Sequence, residues 1–201
     1  VPHGAIGVIV LAAGESSRLG RPKQSLPFAS GTLLGHAVAQ ALAAGLGPVI
    51  VVLGAGADAL RAEVPTGAHV VLNAGWREGM ASSIRTGLRA LAEGWPEAAA
   101  AIIMTCDQPH VSADLLRGLA QAWESGCAAV AASRYGGTLG VPALFARELW
   151  PELLALQGDR GAKAVIARHA DRARAIEFPG GELDVDTEED WRRLQSSGAD
   201  R

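Results

Sequence analysis

The sequence predicts an α/β protein: a doubly wound, mostly parallel sheet of Rossmann-like type with a mixed C-terminal excursion. Short Val- and Ile-rich runs alternate with longer Ala- and Leu-rich stretches, as expected of parallel strands buried on both faces and joined by crossover helices. From Tyr135 onward glycines and prolines interrupt that alternation, so the irregular part falls in the last third of the chain. At 201 residues the length suits one domain, taken as residues 1–201.

Strands are expected at residues 8–11, 49–53, 69–72 and 101–104, where β-branched and apolar side chains run together. Helical composition covers residues 33–45, 57–64 and 80–93. In residues 113–125, Leu115, Leu116, Leu119 and Trp123 share one helix face. A further strand is expected at 128–133, then a turn-rich connection at 135–142 and helices at 143–154 and 161–169. Residues 175–178 read as a returning strand. Pro179, Gly180 and Gly181 then turn the chain toward a helix with Thr187 as N-cap and Asp190 at its third position.

Composition narrows the function classes. With 49% hydrophobic and 19% charged residues the chain is a folding sequence, not a disordered one. A net charge of -3 provides no basic field for a nucleic-acid partner. Cys106 and Cys127 lack metal-ligand spacing, and both are expected in apolar surroundings. No run approaches the roughly eighteen apolar residues of a membrane span. The expected setting is therefore cytoplasmic, without a membrane partner.

The first strand runs straight into Leu11-Ala12-Ala13-Gly14 and on to Lys23. In an open parallel sheet ligands bind outside the carboxyl ends of the strands, so a phosphate site belongs here. Gly14 and Gly20 allow backbone N–H groups to converge on phosphate oxygens. Arg18 and Lys23 add positive charge, and Ser16 and Ser17 add hydroxyls. Composition alone fits an ordinary surface turn equally well, and the absence of a Gly-Lys-Ser/Thr triplet excludes a Walker loop.

Asp107 ends the fourth strand on the same edge, where a hard oxygen donor suits Mg²⁺; capping the helix near Ser112 is its other possible task. If residues 184–187 are extended, Asp184 and Asp186 project from one face as further metal ligands, with Asp186 first. A solvated acidic run is the plainer account of the same residues. Asn73, Gly79, Ser82 and Ser83 surround a helix start that can read a nucleobase or a phosphate, or simply be capped. Gly54-Ala55-Gly56-Ala57-Asp58-Ala59 satisfies a relaxed dinucleotide fingerprint, but it follows the second strand, and the next strand ends at Asn73 instead of an acid.

Leu-Ala-Ala-Gly-x-Ser-x-Arg-Leu-Gly-x-x-Lys, residues 11–23, resembles the signature of the nucleotidyltransferase superfamily that includes molybdenum cofactor cytidylyl- and guanylyltransferases and sugar-phosphate nucleotidyltransferases. The Asn73 to Ser83 segment, Gly140-Val141-Pro142, Gly158-Asp159-Arg160-Gly161-Ala162 and Asp184-Val185-Asp186-Thr187 match further elements of the cytidylyltransferases. The resemblance implies a nucleotide-diphospho-sugar transferase-like fold. It also implies catalysis by Arg18, Lys23 and Asp107, nucleotide binding by Leu11, Ala12, Ala13, Gly14, Asn73, Gly79, Ser82 and Ser83, and Mg²⁺ at Asp107 with Asp186 or Asp184. The implied substrates are CTP and molybdopterin, with transient contact to a molybdoenzyme or its maturation chaperone. Ala13 points to CTP, since guanylyl members usually carry Gly-Gly at this place. Val141 stands where relatives often carry His or Asn, which leaves the acceptor open. Guanylyl or sugar-phosphate transfer and a non-catalytic nucleotide-binding chaperone are the alternatives.

Overall fold

The structure, a computed structural model, describes residues 4–126 and 128–196; Cys127 lies outside the described residues. The elements are β1 (Ile6–Ala12), β2 (Pro27–Phe28), β3 (Gly31–Thr32), α1 (Leu33–Ala44), β4 (Val49–Leu53), α2 (Ala57–Leu60), β5 (His69–Leu72) and α3 (Met80–Gly94). There follow β6 (Ala100–Thr105), α4 (Ala113–Glu124), β7 (Val130–Tyr135), β8 (Thr138–Ala146), α5 (Trp150–Leu154), α6 (Lys163–Arg168), β9 (Ala173–Glu177) and α7 (Glu188–Ser196). Seven strands form one sheet in the order β5-β4-β1-β6-β8-β7-β9. β1 lies parallel between β4 and β6, and β4 continues parallel to β5. The carboxyl ends of these four strands therefore share one edge.

Alternation along each buried strand divides the core between the two faces of the sheet. Val8, Val10, Val51 and Ile102 pack with α1 and α4, whereas Ile9, Leu11, Ile50 and Ile103 pack with α3, α5 and α6. Burying each such side chain contributes about 1.5–3 kcal/mol, which explains why these strands carry no polar alternation. Local chemistry sets the helix starts: Thr32 Oγ1 accepts from Gly35 N at 3.1 Å, and Ser112 Oγ accepts from Leu115 N at 3.2 Å. Ser112 thus caps α4 and Asp107 is left for other work.

Three expectations are corrected. The segment at 135–142 is not merely a connection and 143–154 is not a single helix. Gly136 and Gly137, with φ 54° and 72°, make a two-residue hairpin turn that needs positive φ at both positions. β8 then runs antiparallel to both β6 and β7, and helix begins only at Trp150. Leu144 and Phe145 enter opposite cores, so the run is apolar on both sides and its spacing imitates a helix; pairing with two neighbouring strands decides it. Residues 57–64 also shorten: α2 ends at Leu60 and a 3-10 turn covers Arg61–Glu63.

A third, small core was not anticipated. Leu26, Phe28 and Leu33 pack with Val185, Trp191 and Leu194, which fastens α7 and the acidic segment before it to the chain just after the N-terminal loop. α7 is capped as expected: Thr187 N donates to Asp190 Oδ2 at 2.9 Å and Asp190 N to Thr187 Oγ1 at 3.2 Å. No helix among the described residues is long and apolar enough to cross a membrane.

Candidate functional site

β1 releases the chain into a loop whose left-handed residues are Ser16 (φ 58°) and Gly20 (φ 71°). Gly14 has no positive φ, so the special conformation expected there falls two residues later. Leu19 N and Gly20 N both donate to Ser16 O, at 3.0 and 3.2 Å. The N–H groups of Gly14, Glu15, Ser16, Ser17 and Arg18 meet no acceptor among the described residues. A run of unpartnered backbone donors of this kind is a ready receptor for an anion.

The charges converge beside it. Lys23, on a 3-10 turn, donates from Nζ to Asp107 Oδ2 at 2.5 Å and to Asp186 Oδ1 at 2.7 Å, and Arg18 Nη2 donates to Asp186 Oδ2 at 2.9 Å. Burial by itself lowers the pKa of the Lys23 ammonium, but the charge of Asp107 and the hydrogen bonds to Asp107 and Asp186 outweigh it and raise it. Desolvation pushes the Asp186 carboxyl up, yet Lys23 and Arg18 hold it below its ordinary range. Asp184 makes no such ion pair; loss of water and the charges of Asp107 and Asp186 push its carboxyl up to about 6. Burial pushes the Cys106 thiol up to about 12, so it is inert at neutral pH.

Asp107 Oδ1 is buried without any partner, and buried carboxylate oxygens are seldom left so. Lys23 sits between two carboxylates, and a third, Asp184, does not join them: no group of three His, Cys, Asp or Glu poised to hold a metal occurs among the described residues. Two carboxylates with an unused oxygen nevertheless suit Mg²⁺, which keeps waters and binds substrate phosphates besides one or two protein acids.

A cleft of about 660 Å³ opens beside Lys23 and Asp107, whereas Arg18, Asp184 and Asp186 lie outside its lining. Leu11, Ala12, Ala13, Gly14, Lys23, Asp107, Gly79 and Ser83 line it, as expected of a site at the strand ends. Asn73 and Ser82 do not reach it. Asn73 Nδ2 donates to Ser82 Oγ at 2.8 Å and Ser83 Oγ at 3.0 Å, while Asn73 Oδ1 accepts from Gly75 N at 3.0 Å. Asn73 therefore braces the start of α3 from behind the cleft wall. Trp76, with Arg77 stacked 4.3 Å from its ring centre, belongs to that wall. Gly54 explains the dinucleotide-like fingerprint: a Cβ there would meet Ala13 O and Trp76 Cβ at 2.7 Å each, so the glycine serves close packing, not a pyrophosphate.

Sequence reasoning missed Gln24, Thr105 and Met80 in the cleft, and Asp159 opposite the loop. Asp159 and Met80 lay inside segments already quoted. Gln24 carried no signal, because a polar residue between Lys23 and Ser25 reads as surface, yet it is only 1% exposed. Next to the cleft, sharing Leu11, Met80 and Thr105 with it, lies a recess of about 110 Å³ lined by Ile84, Tyr135 and Val141. Tyr135 Oη donates to Val141 O at 3.0 Å, which satisfies that backbone carbonyl at the recess wall.

Residues 8–173 match the model of the MobA-like NTP transferase domain. Purine catabolism protein PucB from Bacillus subtilis is 32% identical over 92% of this chain and 93% of its own length. Nicotine blue oxidoreductase from Paenarthrobacter nicotinovorans is 41% identical over 81 residues, a match that spans 39% of this chain and only 40% of that relative. Among solved structures, Rv0371c from Mycobacterium tuberculosis aligns with TM-score 0.83 and 36% identity over 96% of this chain and 99% of its own. The same protein has also been solved in complex with manganese, at TM-score 0.78 and 32% identity, covering 96% of this chain and 98% of that one. The chain belongs to the MobA-like NTP transferase domain family.

Proposed function

We propose that this nucleotidyltransferase, acting as one catalytic domain over residues 1–201, transfers CMP from CTP to the terminal phosphate of molybdopterin and releases pyrophosphate, with Mg²⁺ as its metal. The observation that carries the reading is the Lys23 ammonium held between Asp107 and Asp186, beside the unpartnered Asp107 Oδ1 and below a loop of unpartnered amides. It collects, at one strand edge, positive charge, metal-type oxygens and anion-binding N–H groups. Asp107 and Asp186 would hold the ion, which when bound neutralises phosphate charge; Asp184 is the third candidate.

The acceptor phosphate oxygen forms a bond to the α-phosphorus of CTP while the bond from that phosphorus to the bridging oxygen of the β-phosphate breaks. The electron pair leaves with pyrophosphate. The loop amides and Arg18 hold the leaving group in line, and Lys23 balances charge at the α-phosphate, so positioning and electrostatics provide the rate. No protein base is needed, because a phosphate monoester is already anionic near neutral pH. Cytosine is supported by Ala13 in the cleft wall; one methyl discriminates by about 1–3 kcal/mol.

The test is pyrophosphate release from CTP, GTP, ATP and UTP, each incubated with protein, Mg²⁺ and molybdopterin. Release with CTP above all others is expected. Preference for GTP would overturn the base assignment, and no release with any nucleotide would leave the chaperone reading standing in its place.

A further inference from the structure

We infer that Gln24 is the positioning residue of the phosphate-binding loop; the inference rests on the reading of the cleft as a triphosphate site. Both of its amide hydrogens and its amide oxygen are engaged. Nε2 donates to Ala12 O at 3.0 Å and to Gly14 O at 2.8 Å, and Oε1 accepts from Ser16 Oγ at 3.3 Å. Ser16 Oγ in turn accepts from Lys23 N at 3.1 Å. One buried group thus joins the end of β1 and two loop residues to the turn that carries the Lys23 ammonium.

The consequence follows from peptide geometry. In a planar trans peptide the carbonyl of one residue and the N–H of the next point in opposite directions. Drawing Ala12 O and Gly14 O onto Gln24 therefore turns the N–H groups of Ala13 and Glu15 away from it. Between them Ala13 O is taken by Ala55 N at 3.1 Å, which fixes the Gly14 N–H as well. Gln24 holds two carbonyl oxygens, which would repel phosphate, on the buried side of the loop and leaves the Glu15 donor for the cleft, while Ala55 does the same for the Gly14 donor. Glutamine is suited to this because it offers two donors and one acceptor without charge. Glutamate would set acceptor against acceptor, and methionine offers nothing to either carbonyl.

The experiment is calorimetric titration of the intact protein with inorganic tripolyphosphate and Mg²⁺, well below the unfolding midpoint. Gln24→Met and Gln24→Ala are each expected to weaken binding by roughly tenfold or more, the scale on which supporting hydrogen bonds act on a ligand site. In turnover, the KM for nucleotide should rise more than kcat falls. A purely structural glutamine would lower the melting temperature and leave tripolyphosphate affinity alone; wild-type affinity in both variants would overturn the inference. Should neither variant fold, the Gly14 and Glu15 amide resonances of the wild type provide the test. They should shift on addition of tripolyphosphate, and unmoved resonances overturn the assignment. Wild-type protein that binds tripolyphosphate yet turns over no nucleotide defeats the proposed function without touching Gln24. Wild type that binds none defeats both.

Discussion

The two sides of the cleft are built on different physical terms. On the side of the N-terminal loop, Lys23, Arg18, Asp107 and Asp186 form a charged network, and the loop is crossed by hydrogen bonds from Gln24 and Ser16. On the other side, Val141 and Tyr135 of the β7–β8 hairpin and Ile84 of α3 frame a small, mainly apolar recess. The first is made by the carboxyl ends of parallel strands, where chain after chain segment delivers polar groups to one edge. The second is walled by strand and helix side chains that are mostly apolar. Phosphoryl chemistry and choice of acceptor should therefore be separable by mutation.

The largest expected effect is Asp107→Ala, which removes a metal-type ligand and one partner of Lys23. Turnover should fall by about 10³-fold or more, in line with loss of a group aimed at developing charge. Lys23 keeps Asp186 at 2.7 Å, so circular dichroism should show an intact fold. Activity near wild type would remove Asp107 from the reaction and break the comparison on its charged side.

Val141→His tests the apolar side. Relative kcat/KM among acceptors should change by roughly ten- to hundredfold, the scale of a changed pocket contact, while the KM for nucleotide stays within about twofold. An equal change in nucleotide KM would show that the two sides are not independent.

The smallest effect concerns the segment that carries Asp186. Thr187→Ala deletes the α7 cap and should cost about 1 kcal/mol in urea unfolding. The hydroxyl of Thr187 is the main cause holding the Asp190 carboxyl below its ordinary value. A depressed carboxylate contributes stability that is complete above its unfolded pKa, near 4, and is lost as pH falls through the folded value. The stability gap between wild type and Thr187→Ala should accordingly narrow on acidification below about pH 4; a constant gap would detach Asp190 from the cap.

The parallel half was open to sequence reading because its rules are local or nearly so. Strands β4 and β5 fall on the expected residues, since a β-branched run between turn signals has few other uses. Lys23 and Asp107 were likewise expected at the strand edge from where they follow their strands, and the structure brings them together. The β8 strand escaped because Leu144, Phe145, Leu149, Trp150 and Leu153 are all buried, and an apolar series of that spacing satisfies helix and double-sided strand alike. Gln24 escaped because its burial depends on Ala12 and Gly14 closing over it.

By itself the sequence determined the alternation of strands and helices, the caps at Ser112 and Thr187, and which charged and glycine residues follow the strand ends. These depend on propensity, period and short spacing. Only the tertiary structure decided which carboxylate shares Lys23, because that pairing joins residues 163 positions apart through a small core of Leu26, Val185 and Trp191. It also decided that Asn73 braces a helix instead of facing the cleft, and that the loop carbonyls are held down by Gln24. Contacts between distant segments are set by packing and by the need to satisfy buried polar groups, and neither is written in any single stretch of chain.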